Sequence, residues 1–259
     1  MAKAWAKFPY ADKKFQYTAA SLKKSWDRLH KGDAEAFPKS DAALEAWLAF
    51  HAGDFQKATE LGLKAGAEGA NAANKAQAIY ANYLEQNDKR KLELLQELAD
   101  RAETLQAKEP KNFNAFYWQA YALGRYSQGI SVVKALTQGI GGKVKSALET
   151  AIKLAPKHGD AHIALGSYHA EVVDKVGAMI GGLTYGAKKD LAIKNFQTAM
   201  KLMPGSAIAR IEYANGLVML EGKKALKQAE QLYGEAAECE PLDAMEKLDV
   251  ELAKAELED

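Results

Sequence analysis

Two sequence patterns occur twice between residues 122 and 204, and this internal repeat constrains the fold more than any other feature. The motif Ala-Leu-Gly-x-Tyr begins at Ala122 and again at Ala164. The motif Ile-Gly-Gly begins at Ile140 and again at Ile180. A period of about 40 residues is typical of proteins that stack similar helical units. Such proteins usually bind partners on an extended surface, so the sequence predicts architecture more directly than chemistry.

The composition favours helices and excludes several functional classes. Among 259 residues the chain has six prolines, one cysteine and a formal net charge of +1. A nearly neutral chain offers no field for nucleic acid, and one cysteine cannot form an internal disulfide. No apolar run is long enough to cross a membrane, and no secretory signal is evident. We therefore expect a soluble, cytoplasmic protein without a membrane span.

From residue 110 onward, prolines divide the chain into helical segments. Pro110, Pro156, Pro204 and Pro241 each follow a run of helix-forming residues. Proline cannot continue a helix, and a polar side chain shortly after it can cap the next helix. The expected capping residues are Asn112, Asp160, Ser206 and Asp243.

The first half of the chain also predicts paired helices. Leu22, Trp26 and Leu29 share one face of a predicted helix over residues 19–30. Ser40 is the expected N-cap of a helix from Asp41 to His51. Further helices are expected over residues 55–67, 74–84 and 89–107, with turns at Gly53-Asp54 and Asn87-Asp88.

Two segments share a spacing of small and aromatic residues that resembles the second helix of a tetratricopeptide (TPR) repeat. The residues are Ala192, Phe196, Ala199 and Pro204, and then Ala229, Tyr233, Ala236 and Pro241. The resemblance implies an all-α, right-handed superhelical solenoid of antiparallel helix pairs. We expect an N-terminal helical cap over residues 1–39, TPR-like repeats over residues 40–241 and a C-terminal capping helix over residues 242–259.

The two central units are longer than the TPR period of about 34 residues, so each contains an insert. The inserts hold the Val-Val and Ile-Gly-Gly elements, and with them the chain is similar to the regulator-of-microtubule-dynamics family and its bacterial relatives. We expect Gly141-Gly142 and Gly181-Gly182 to mark equivalent turns or close helix contacts. The apolar segment 176–185 is expected to fold back as a buried helix extension; the alternative is an exposed apolar patch for a partner, for self-association or for a membrane surface.

The TPR register also indicates which side chains face the concave groove. Counted from Pro110, it directs Asn114, Tyr117, Tyr121 and Arg125 to that surface, and in the first helix pair it exposes Trp47 and His51. Tyrosine, tryptophan and arginine are the residue types that most often anchor peptide interfaces. These six residues are the predicted partner-binding site, although the aromatic residues of this region could instead belong to the core.

Patterns that would indicate metal, nucleotide or catalytic chemistry are incomplete. His162 and His169 share a helical face, but no third ligand follows from the spacing, so no metal site is predicted. The sequence Gly139–Lys143 has the wrong spacing for a phosphate loop and follows no strand. No catalytic triad or carboxylate pair can be assigned by spacing.

These observations favour a non-enzymatic scaffold or adaptor that binds a protein or peptide partner in its concave groove, without a cofactor. The alternatives are a helical-repeat protein in which the inserts enclose an apolar cavity for a small ligand, and an enzyme whose site the sequence does not reveal. An open groove would favour the first hypothesis, and a closed apolar pocket near Ile140 and Ile180 would favour the second.

Overall fold

The computed structural model describes residues 4–258, which form helices and connecting loops without a β-strand. The α-helices are α1 Ala19–Leu29, α2 Asp41–His51, α3 Phe55–Lys64, α4 Ala70–Tyr83, α5 Asp88–Lys108, α6 Phe113–Gln128, α7 Val132–Thr137, α8 Ile140–Leu154, α9 Gly159–Val176, α10 Ala178–Tyr185, α11 Lys189–Leu202, α12 Ala207–Glu221, α13 Leu226–Ala237 and α14 Ala244–Glu258. Short 3-10 helices lie at Lys13–Phe15, Gly66–Gly69 and Gly222–Ala225. The expected all-α fold is confirmed.

Most helices begin where the sequence places a capping side chain. The side chains of Ser40, Asn112 and Ser206 each accept a hydrogen bond from a backbone N–H in the first turn of the following helix. Such a cap contributes about 1 kcal/mol. The expected cap at Asp160 is wrong, because Nδ1 of His158 accepts the bond at α9 and Asp160 lies in the first turn.

The chain divides into two compact units, and each is described by itself. The first contains the residues up to His30, then Glu35–Leu154 and Leu242–Met245. The second contains Lys31–Ala34, Ala155–Pro241 and the residues from Glu246 onward. The cap and repeat boundaries expected at residues 39 and 241 stay predictions.

In the first unit, consecutive helices from α2 to α6 pack against one another, and α6 packs against α8. Leu94, Leu98 and Leu105 form the buried stripe of α5, at spacings that place them on one helical face. Helix α4 is different, because every residue from 70 to 81 is buried. A helix buried on all sides needs cover beyond its two flanking helix pairs. Part of that cover comes from the N-terminal segment, in which Trp5 stacks on Tyr80 with ring centroids 4.1 Å apart.

In the second unit, α9, α11 and α12 pack around Phe196, which has no exposed surface. Gly166 on α9 and Gly216 on α12 both face this ring, and a Cβ atom on either would lie closer than 3.0 Å to it. Tyr213 stacks on the same ring at a centroid distance of 5.3 Å. Here the small residues admit the aromatic ring between closely packed helices, as the spacing of Ala192, Phe196 and Ala199 indicates.

Each of the two inserts expected from the sequence contains a short extra helix with exposed apolar side chains. In the first unit, α7 lies between α6 and α8 in the chain, and Val133 is 70% exposed. In the second, α10 follows Gly177, whose φ of 81° ends α9, and Leu183 on α10 is 86% exposed. The expected buried extension over residues 176–185 is therefore wrong. Since Ile180 is also exposed, its position does not support the alternative of an enclosed apolar cavity.

The two Ile-Gly-Gly motifs do not occupy equivalent places. Gly141 and Gly142 lie in the first turn of α8, whereas Gly181 and Gly182 lie within α10. A Cβ atom on Gly142 would meet nothing within 4 Å, and one on Gly182 would meet only the carbonyl oxygen of Ala187 at 3.8 Å. The expectation of equivalent turns or close contacts is wrong, because neither second glycine is needed for packing.

Candidate functional site

One face of α6 contains four of the six predicted site residues. Asn114, Tyr117, Tyr121 and Arg125 are spaced three or four residues apart, which aligns them along the helix. The rings of Tyr117 and Tyr121 lie 6.1 Å apart, and the guanidinium carbon of Arg125 lies 5.5 Å from the centroid of the Tyr121 ring. Tyr117 is buried, whereas Tyr121 and Arg125 are partly exposed. The accessible part of this face is therefore an aromatic ring with an arginine stacked on it.

At the other end of this face, Asn114 belongs to a buried polar cluster. Nδ2 of Asn114 donates to Oε2 of Glu35 at 2.5 Å, and Nδ2 of Asn71 on α4 donates to the same oxygen at 2.9 Å. Nδ2 of Asn71 also approaches Oδ1 of Asn112 at 3.2 Å. Asn71 and Asn114 are 7% and 1% exposed. A carboxylate oxygen that accepts two amide hydrogen bonds is held firmly, because charge-assisted bonds are about twice as strong as neutral ones.

A cleft of about 450 Å³ opens beside this cluster. Its walls include Glu35, Asn71 and Asn114 together with the loop before α6; the full lining is Glu35, Ala36, Asn71, Glu109, Pro110, Lys111, Asn112, Phe113 and Asn114. The cleft thus offers amide groups, charges of both signs and one aromatic ring to a ligand. Polar groups of this kind fix the orientation of a bound ligand.

Helix α4 is also held by a partly buried arginine of α5. Nε of Arg101 donates to Oδ1 of Asn74 at 2.6 Å, and Nη2 donates to Oε1 of Gln77 at 3.0 Å. Burial lowers the pKa of Arg101 to about 10, although Glu97 acts in the opposite direction. This contact fixes the helix that presents Asn71 to the cleft.

The remaining two predicted site residues, Trp47 and His51, are buried and not exposed. They are 2% and 0% accessible, because α1 lies over this part of α2. Trp26 of α1 meets the Trp47 ring edge-on at 5.5 Å, and His30 meets it at 4.7 Å. The predicted exposure of Trp47 and His51 is therefore wrong, since the N-terminal helix covers their side of the first helix pair. Their partner-binding role stays a prediction that would require α1 to move.

Three buried titratable side chains, those of His30, His51 and Asp243, contact one another in a row. Nδ1 of His51 lies 2.8 Å from Oδ2 of Asp243, and its Nε2 lies 3.3 Å from Nε2 of His30. All three residues are at most 2% exposed. In the tautomer in which Nδ1–H of His51 donates to the carboxylate, Nε2 of His51 accepts from Nε2–H of His30. Sequence spacing could not reveal these contacts, because 192 positions separate His51 from Asp243.

The histidines at the start of α9 contribute to helix capping and packing. His158 caps α9, and the ring nitrogens of His162 lie 2.9 Å from Oδ1 of Asn195 and 3.1 Å from the carbonyl oxygen of Pro156. Within residues 4–258, no three His, Cys, Asp or Glu side chains are grouped as a metal site requires. The same residues contain no helix long and apolar enough to cross a membrane.

The packed helix pairs define a helical-repeat protein of the TPR type. The chain aligns with the crystal structure of a thermophilic TPR protein of Thermus thermophilus at a TM-score of 0.58 and 18% identity, covering 83% of this chain and 98% of that one. At this identity the likeness describes the fold alone. A search of curated proteins finds no match.

The particular family follows from the sequence over most of the chain. Residues 50–257 match the family described as Regulator of microtubule dynamics protein 1-3. The chain belongs to this family, and both resemblances expected from the sequence are confirmed. A fold of this type generally serves as a scaffold for protein interactions.

Proposed function

We propose that this protein is a non-enzymatic, cytoplasmic scaffold that binds a protein or peptide partner along the α6 face of its first unit. The main support is the arrangement of Tyr121 and Arg125, an aromatic ring and a stacked guanidinium that remain partly exposed. Such pairs supply apolar contact area together with donors for a carbonyl or carboxylate.

The cleft near the start of α6 extends this surface. Phe113 in the cleft wall and Tyr121 lie on the same helix, eight residues apart, and a helix rises about 1.5 Å per residue. A peptide segment of a few residues therefore spans the distance between the cleft and the Tyr121–Arg125 pair. The ring of the buried Tyr117 contacts the Tyr121 ring, which restricts the orientation of the partly exposed Tyr121 side chain.

Quantitative affinity purification from cells that express the protein tests this proposal. The wild type is compared with the Tyr121→Ala/Arg125→Ala variant and with a control variant, Tyr10→Ala/Arg90→Ala, in which an aromatic residue and an arginine outside α6 are removed. A partner that the wild type and the control retain and the α6 variant loses supports the proposal. Equal recovery of every protein by all three, with the α6 variant folded, would refute it.

A further inference from the structure

The cluster between α4 and α6 has the chemistry of a receptor for a carboxylate. Two amide donors, Nδ2 of Asn71 and Nδ2 of Asn114, converge on a single oxygen of Glu35 at 2.9 and 2.5 Å. The two asparagines come from different helices, and both are more than nine-tenths buried. A buried amide is unfavourable unless it is hydrogen-bonded, so two of them aimed at one point require an acceptor there.

The charge of α4 also favours an anion on this side. Lys75 follows Asn71 by four residues, which places both on the same face of α4, and Lys75 is 2% exposed. Its ammonium group lies 5.3 Å from the ring centroid of Phe50. A buried cation on this face attracts a carboxylate more strongly than it attracts a neutral group, because the dielectric constant of the protein interior is low.

Glu35 accepts hydrogen bonds from the two amide groups of this site, but the site also contains an acceptor that Glu35 does not satisfy. Oδ1 of Asn71 is buried and has no hydrogen-bond partner among the described residues. A peptide could supply a backbone N–H to this atom while its carboxylate replaces that of Glu35. The internal occupant is therefore a poorer match to the site than a peptide that carries both groups.

The backbone next to Glu35 is strained, which favours its displacement. Ala34 has a φ of 49°, in the left-handed region that residues with a Cβ atom rarely adopt. It is the one non-glycine residue with positive φ in the part of the chain that the structure describes. Release of the segment that follows it would allow Ala34 to relax.

We propose that Asn71 and Asn114 form a binding subsite for a carboxylate of the partner, either an acidic side chain or a chain terminus, and that Glu35 fills this subsite in the free protein. The inference rests on the proposed partner binding along α6 and adds the chemical class that the partner must present. Binding then requires that the carboxylate of the partner displace Glu35, so the free protein holds its own competitor.

The test removes the internal carboxylate and supplies an external one. Wild type, Glu35→Ala and Glu35→Gln are titrated with an amidated peptide of acidic side chains, with a neutral peptide that has only a free C-terminus, and with the amidated glutamine counterpart of the acidic peptide. Amide signals of the Asn71 and Asn114 side chains are followed by NMR. Glu103→Gln, an exposed position on α5, is the matched control.

The proposal predicts at least about tenfold tighter binding of one carboxylate peptide by Glu35→Ala than by the wild type or the control. The Asn71 and Asn114 signals should shift, and Asn114→Ala added to Glu35→Ala should abolish the gain. The two carboxylate peptides distinguish a side chain from a terminus as the source. If folded Glu35→Ala or Glu35→Gln binds the carboxylate and glutamine peptides equally, the subsite is refuted. Loss of the natural partner on changing Tyr121 and Arg125 would still support the proposed function in that case.

Discussion

Replacement of Gly216 by alanine tests the packing of the second unit. The added Cβ atom would lie closer than 3.0 Å to the ring of Phe196, which is completely buried and stacked on Tyr213. Overpacking of this kind costs about 1–3 kcal/mol. Alanine also has a helix propensity about 1 kcal/mol better than glycine, which offsets part of that cost. We therefore expect Gly216→Ala to lower the free energy of unfolding by up to about 2 kcal/mol.

Gly234→Ala is the matched control, because Gly234 also lies within a helix but a Cβ atom there would meet nothing within 4 Å. It should raise the free energy of unfolding by about 0.5–1 kcal/mol through helix propensity alone. Urea unfolding followed by circular dichroism measures both changes. In a double-mutant cycle, Phe196→Leu should relieve part of the cost of Gly216→Ala, since the smaller side chain leaves room for the new methyl group. If Gly216→Ala stabilises the protein as much as the control does, the close approach to Phe196 is refuted.

Three further predictions concern stability. Asp243→Ala removes the acceptor of the buried His51 side chain and should cost about 3 kcal/mol in urea unfolding, whereas a change within 0.5 kcal/mol would contradict this buried contact. Burial and the nearby carboxylates of Glu256 and Glu212 raise the pKa of Tyr233 to about 12. The neutral hydroxyl therefore contributes its full stabilisation below about pH 10, and this stabilisation is lost as the pH rises through 12. Thermal melts of Tyr233→Phe should therefore fall less steeply over that range than those of the wild type, and parallel curves would contradict this. Leu183→Gln should change the free energy of unfolding by no more than about 0.5 kcal/mol, because Leu183 is 86% exposed, and a loss of about 2 kcal/mol would place it in a core.

Features set by neighbouring residues could be predicted from the sequence. The bounds of α2 agree with the prediction from Ser40 and His51, since the capping side chain and the following Gly53 act within a few positions. The sequence predicts the start of α4 at Asn74, but the helix begins at Ala70. No proline or polar cap marks that start, and the preceding 3-10 helix continues directly into α4.

Features set by distant contacts could not be predicted. The sequence predicts Asp243 only as a cap, yet its carboxylate holds the ring of His51. Tryptophan is a residue type that often anchors interfaces, but Trp47 is buried because α1 packs over it. Glu35 lies 79 positions from Asn114, and nothing in its local sequence indicates that it occupies a site between two helices.

The most direct test of partner binding along α6 is the dissociation constant of the captured partner for Arg125→Ala, compared with Arg90→Ala and the wild type. Arg125 stacks on Tyr121 at the accessible end of the face, whereas Arg90 lies on α5 and forms ion pairs with Glu93 and Glu97. Removal of an anchoring arginine costs about 2 kcal/mol of binding energy, which is about a 30-fold weaker dissociation constant. We predict that loss for Arg125→Ala, an unchanged constant for Arg90→Ala and little change in melting temperature for either. Unchanged affinity of Arg125→Ala, together with a loss of about 3 kcal/mol of stability in Tyr121→Ala, would contradict the account and place this face in the core.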